Sequence, residues 1–123
     1  MADERKLTPV SVYLIEDDVA VADSIAMTIA QLGYDIHVYG DGETFLKSAS
    51  PSDDDLVFID LKLPGMSGRE VFNSLKSVPS GTRVVFISGE SQRTIDQEMA
   101  GLVEPPVLRK PLTASAISQS LPN

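Results

Sequence analysis

The chain of 123 residues contains no cysteine. That removes disulfides, thiolate zinc sites and cysteine nucleophiles, and it suits a reducing compartment. No apolar stretch approaches the roughly 18 residues of a membrane span. The opening MADERKLTP is polar and of mixed charge and lacks the apolar core of a signal peptide, so the expectation is a cytoplasmic protein with no membrane contact. Basic residues are scarce: ten Lys and Arg stand against eighteen Asp and Glu, for a net charge of −8. Nucleic-acid binders usually show a basic face, so direct DNA or RNA binding is not expected. Histidine occurs once, as His37. A Gly-rich phosphate loop is also missing, because GMSG (Gly65–Gly68) has neither the length nor the lysine of a P-loop.

What is present is one domain's worth of chain. A chain of this length buries roughly two-thirds of the surface its unfolded form exposes, enough for a core without staples. Short apolar runs alternate with helix-like segments. Strand-like runs are Val10–Ile15, Ile36–Tyr39, Asp55–Ile59, Arg83–Ser88 and Pro106–Arg109. Between them, Ala22, Ile25, Ile29 and Leu32 form one helical face within Val19–Leu32, and Gly33 stands where a helix ends. Asp41–Ser48 reads as a short helix that turns Phe45 and Leu46 inward. Gly68–Val78 has Val71, Leu75 and Val78 in register behind a capping Ser67. Gln92–Met99 is a weak helix, and Thr113–Leu121 a final one capped by Thr113. The third and fourth strands are apolar throughout, as parallel strands covered on both faces are. Five βα units with right-handed crossovers give a doubly wound α/β sheet.

In such sheets the chemistry lies beyond the carboxyl ends of the strands. The first strand ends in Glu16-Asp17-Asp18, the third in Asp60, the fourth in Ser88 and the fifth in Arg109-Lys110-Pro111. Carboxylates within about 5 Å repel by roughly 3 kcal/mol per pair at an effective dielectric of 20. The cluster therefore calls for a cation. Oxygen ligands without His or Cys select a hard metal, Mg²⁺ first and Ca²⁺ or Mn²⁺ next. Mg²⁺ takes one or two carboxylates and keeps room for a phosphate oxygen. The Ser88 hydroxyl and Lys110 ammonium suit the other phosphoryl oxygens, and a carboxylate such as Asp60 is a known class of phosphoryl-accepting nucleophile.

With LIEDD, FIDLKLPGMSG, VVFISGE and LRKPL in that order, 28 residues from Asp60 to Ser88 and 22 more to Lys110, the chain resembles the receiver domain of two-component response regulators over about Val10 to Leu121. The resemblance implies a flavodoxin-like (βα)5 fold with strand order 2-1-3-4-5. It implies that Asp60 takes a phosphoryl group from the phosphohistidine of a histidine kinase or phosphotransfer protein, and that the change is passed to a downstream protein partner. It further implies Asp17 and Asp60 as Mg²⁺ ligands with the backbone carbonyl of Lys62, and Glu16 acting through water. Ser88 becomes the switch hydroxyl, Lys110 the phosphate-pairing lysine, and Lys110-Pro111 a cis peptide. The domain is expected to span residues 10–121 behind a flexible arm, residues 1–9, with no effector domain. The resemblance also implies that catalysis is confined to self-phosphorylation and autodephosphorylation. Three departures touch output: Val107 stands where the family often has an aromatic switch residue, GLVEPPV, stiffened by Pro105 and Pro106, replaces a small-residue lead into the fifth strand, and the last helix is short.

Other readings compete. A Mg²⁺-dependent phosphohydrolase with an aspartyl-phosphate intermediate usually has a second acid two residues after the nucleophile, where this chain has Lys62, and a cap insertion that is not evident here. A pseudo-receiver would not need the full set of acids, hydroxyl and lysine. Acids at Glu16–Asp18 also suit a solvated helix N-terminus. His37 lies mid-strand, which counts against a Ser88–His37–Asp60 triad and favours a structural role. Asp53-Asp54-Asp55 reads as a solvated loop.

Overall fold

The computed structural model describes residues 10–78 and 80–122. The expected N-terminal arm lies outside the described residues. Five strands alternate with five helices: β1 (Ser11–Ile15), α1 (Val19–Gln31), β2 (Asp35–Tyr39), α2 (Gly42–Ser48), β3 (Leu56–Asp60), α3 (Gly68–Lys76), β4 (Arg83–Ser88), α4 (Gln92–Glu98), β5 (Val107–Arg109) and α5 (Ala114–Ser120). All pairings are parallel, in the order β2-β1-β3-β4-β5. This is the expected flavodoxin-like doubly wound sheet.

The period-2 geometry of a strand sends alternate residues to opposite faces. Val12, Leu14, Leu56, Phe58, Val85 and Ile87 pack under α1 and α5 with Ala22, Ile25, Ile29 and Ile117. Tyr13, Ile15, Val57, Ile59, Val84 and Phe86 pack under α2, α3 and α4 with Phe45, Val71 and Ile95. Each fully buried side chain of this size contributes about 1.5–3 kcal/mol of burial, so the two central layers dominate the stabilisation. All five residues of β3 are buried, and so are all of β4 but Arg83.

Side-chain caps mark every helix start: Asp18, Asp41, Ser67, Ser91 and Thr113 each accept an orphan N–H of the first turn. Ser67 and Glu70 complete a capping box. Gly33 takes φ +93° just after the α1 cap residue Leu32, a conformation that suits glycine.

The helical periodicity overreaches in two places. Leu32 caps α1 and is 44% exposed, so it leaves the inward face. Helix α3 stops at Lys76, and Val78 beyond it is 61% exposed instead of in register with Val71. Leu46 is only partly buried, beside a fully buried Phe45.

The aspartate run is a solvated loop only in part: Asp53 and Asp54 are exposed. Asp55 is buried, and its carboxylate accepts the backbone N–H of Ser11 (3.0 Å) and of Ser52 (2.7 Å). Asp53 accepts the N–H of Gly81 (2.8 Å). Asp54 takes φ +74°, a turn conformation aspartate tolerates. No helix among the described residues is long and apolar enough to cross a membrane.

Candidate functional site

At the carboxyl edge of the sheet the backbone ladders run on past the strands. Glu16 N–H donates to Tyr39 O (3.0 Å), Leu61 N–H to Ile87 O (2.9 Å) and Lys110 N–H to Ser88 O (2.8 Å). The first bond joins β1 to β2 and the other two join β3 and β5 to β4; with Ile15 of β1 in register with Ile59 of β3, they align the strand ends and the residues carried there. Glu16, Asp17 and Asp60 each offer a carboxylate oxygen within 4.8 Å of the others. Glu16 and Asp60 are 3% and 4% exposed; Asp17 is open to solvent. Asp60 is the last residue of β3 itself, one place further along than the sequence reading ended that strand.

A single ammonium faces these acids. Lys110 Nζ lies 2.6 Å from Glu16 Oε1 and 2.9 Å from Asp60 Oδ2. Asp60 Oδ1 accepts the N–H of Lys62 (3.1 Å), and Glu16 Oε2 that of Asp18 (3.1 Å). Burial pushes the Glu16 carboxyl above its ordinary value, against the opposing pull of Lys110 and the Asp18 N–H. Burial alone would lower Lys110, but its bonds to Glu16 and Asp60 outweigh that and hold it above its usual value. Three carboxylates against one ammonium leave negative charge uncompensated, and the donors are all oxygen. That set fits a hard divalent cation.

Ser88 is fully buried, and its Oγ accepts the N–H of Glu90 (3.1 Å). Val107 is partly buried against the layer under α4, in register with Phe86 of β4. The Lys110–Pro111 peptide is cis, and so is Glu104–Pro105. Asp18 belongs to α1 as its N-cap. His37 stays mid-strand on β2, stacked on Tyr13 (5.1 Å between centroids) and 3.1 Å from Asp35, away from Ser88 and Asp60.

Three residues of this end were not singled out from sequence. Glu90 sits 3.9 Å from Lys62 across the site. Both follow a strand-end residue by two positions, Asp60 on β3 and Ser88 on β4. Opposite charges at equal offsets beyond neighbouring parallel strands were a usable signal. Gly68 packs against the acceptor loop: its N–H donates to Leu61 O (3.0 Å), and a Cβ there would collide with the Asp60 carbonyl. Arg69 reaches from α3 to the end of α4, which no local pattern announces.

The fold is a doubly wound α/β domain with acids, a hydroxyl and a lysine gathered beyond its strand ends. Residues 12–121 match the response regulator receiver domain family, and the chain belongs to it. It is similar to the tetrathionate response regulatory protein TtrR of Salmonella typhimurium, 32% identical over 113 residues, which are 90% of this chain and 54% of TtrR. It is also similar to the cell cycle transcriptional regulator CtrA of Caulobacter vibrioides, 35% identical over 81 residues, 66% of this chain and 35% of CtrA. The chain thus spans about half or less of the length of these relatives. A CheY-like response regulator receiver domain from Methylobacillus flagellatus superposes with a TM-score of 0.75 at 24% identity, covering 91% of this chain and 95% of that one, a likeness of fold. The chain is a receiver domain of two-component response regulators.

Proposed function

We propose that Asp60 is the phosphoacceptor. The observation that carries this is the Lys110 ammonium held between Asp60 and Glu16, with Asp17 alongside, at the end of a fully buried strand. An Asp60 carboxylate oxygen attacks the phosphorus of a phosphohistidine. The O–P bond forms as the P–N bond breaks, and the electron pair stays on the imidazole nitrogen, which takes up a proton. Lys110 is within reach of an anionic oxygen on Asp60, and the Lys62 N–H orients the acceptor carboxylate. Ser88 is the hydroxyl we assign to a phosphoryl oxygen.

Asp17, Asp60 and the Lys62 carbonyl would hold Mg²⁺, with Glu16 acting through water; the ion supplies positive charge to the transferring group. The partners we infer are a histidine kinase or phosphotransfer protein and a downstream protein, in the cytoplasm. The only chemistry is on the chain's own acceptor. Incubation with acetyl phosphate and Mg²⁺ is expected to add one phosphoryl group by intact mass, and Asp60→Asn to add none. A mass increase that survives in Asp60→Asn moves the acceptor to another residue.

A further inference from the structure

Helix α4 is poorly anchored by its own sequence. It has seven residues and buries only Ile95. A helix that short does not persist on propensity, and a segment with few buried contacts opens at low cost. It is tied at both ends from outside. At the start, Arg109 of β5 donates to Glu90 O (3.2 Å) and to Gln92 Oε1 (3.0 Å). At the finish, Arg69 Nη1 donates to Glu98 O (3.0 Å) and Ala100 O (2.7 Å). Carbonyls at a helix C-terminus lack intrahelical donors and attract a cation, so the second tie meets a real need.

Arg69 is the second residue of α3. The residue before it, Gly68, lies so close to the Asp60 carbonyl that no Cβ fits between them, and its N–H is bonded to Leu61 O. The Asp60–Leu61 backbone is thus joined through Gly68 to Arg69, and Arg69 to the last carbonyls of α4.

We propose that Arg69 is a positioning residue that couples the Asp60 loop to the C-terminal end of α4 by a route separate from Ser88. The coupling half of this inference rests on the reading of Asp60 as acceptor; the clamp itself does not.

Hydrogen exchange on the full chain tests both halves, with Arg69→Ala and Arg69→Lys beside the unaltered protein and with β1 and β3 amides as the fold control. Without donor or metal, amides of 95–102 are expected to exchange at least tenfold faster in Arg69→Ala, with β1 and β3 unchanged. Arg69→Lys, which keeps the charge but has a smaller set of donors, should fall between. Should Arg69→Ala lose the protection of β1 and β3, Arg69→Lys alone decides, by whether 95–102 speeds up. With beryllofluoride and Mg²⁺, the change at 95–102 should shrink in the variants while that at 88–91 persists. Unaltered exchange at 95–102 in the folded variants overturns the clamp. An intact beryllofluoride response there overturns the coupling. Phosphorylation surviving in Asp60→Asn would instead refute the acceptor reading and leave the clamp result standing.

Discussion

The two edges of this sheet both carry clustered acids, and they use them in opposite ways. At the amino edge, Asp55 and Asp53 spend their oxygens on backbone N–H groups of Ser11, Ser52 and Gly81. Around them, Thr82 Oγ1 donates to Ser52 O (2.9 Å), and Lys76 Nζ to Thr82 O (2.8 Å). These bonds tie the loop before β3 to the start of β1 and to the loop before β4. At the carboxyl edge, Glu16, Asp17 and Asp60 face one another, and one lysine serves two of them. A carboxylate saturated by donors is a structural part; carboxylates crowded on each other hold a binding site open. Active sites commonly trade stability for function in this way.

The largest expected effect lies at the amino edge. Asp55→Ala removes two bonds to a buried carboxylate and strands two N–H groups, so a loss of about 3 kcal/mol is expected. Urea unfolding measures it, and phosphorylation of the folded fraction should be unaffected. Asp55→Asn, which keeps one acceptor oxygen, should lose roughly half as much. A loss near zero for Asp55→Ala would erase the contrast between the edges. At the carboxyl edge, Asp17→Asn should weaken Mg²⁺ binding at least tenfold while leaving the urea midpoint without Mg²⁺ unchanged or slightly raised, because the exposed Asp17 serves no donor among the described bonds. Unchanged Mg²⁺ affinity in that variant would remove Asp17 from the metal site.

Much of the carboxyl edge could be read from sequence because a parallel sheet aligns its strand ends. Once β1, β3, β4 and β5 were placed, Glu16, Asp60, Ser88 and Lys110 had to converge. The amino edge gave no such signal. Asp55 looks like any acid in a polar loop until the fold brings the Ser11 N–H to it from 44 residues away. Val78 escapes the periodicity for a related reason: periodicity counts positions but does not say where α3 stops, and the helix stops at Lys76. The Arg69 tie depends on the reach of a long side chain between two helices, and no spacing rule in one helix encodes it.

The smallest expected effect probes where the site begins to fade into structure. Glu98 closes α4, and its Oε1 is buried without a hydrogen-bond partner among the described residues. Its carboxyl is raised above the ordinary value, first by burial and then by the negative field of Glu90 and Asp60, with Lys62 opposing. A raised folded-state value means the folded chain binds more protons than the unfolded one between the two values. Stability from this group is therefore present at and below the ordinary carboxylate value, and it is lost as pH rises through the folded-state value. Glu98→Gln removes the charge and keeps the shape. It should stabilise the protein at pH 7 by no more than about 0.5 kcal/mol, because solvent screens a carboxylate that is only partly buried, and make little difference at pH 4. Urea midpoints at the two pH values separate the cases. Equal gains at both would trace the effect to shape or propensity. A loss at pH 7 would mean that the Glu98 carboxylate has a partner that makes its charge favourable, and would group it with Asp55 among the saturated acids.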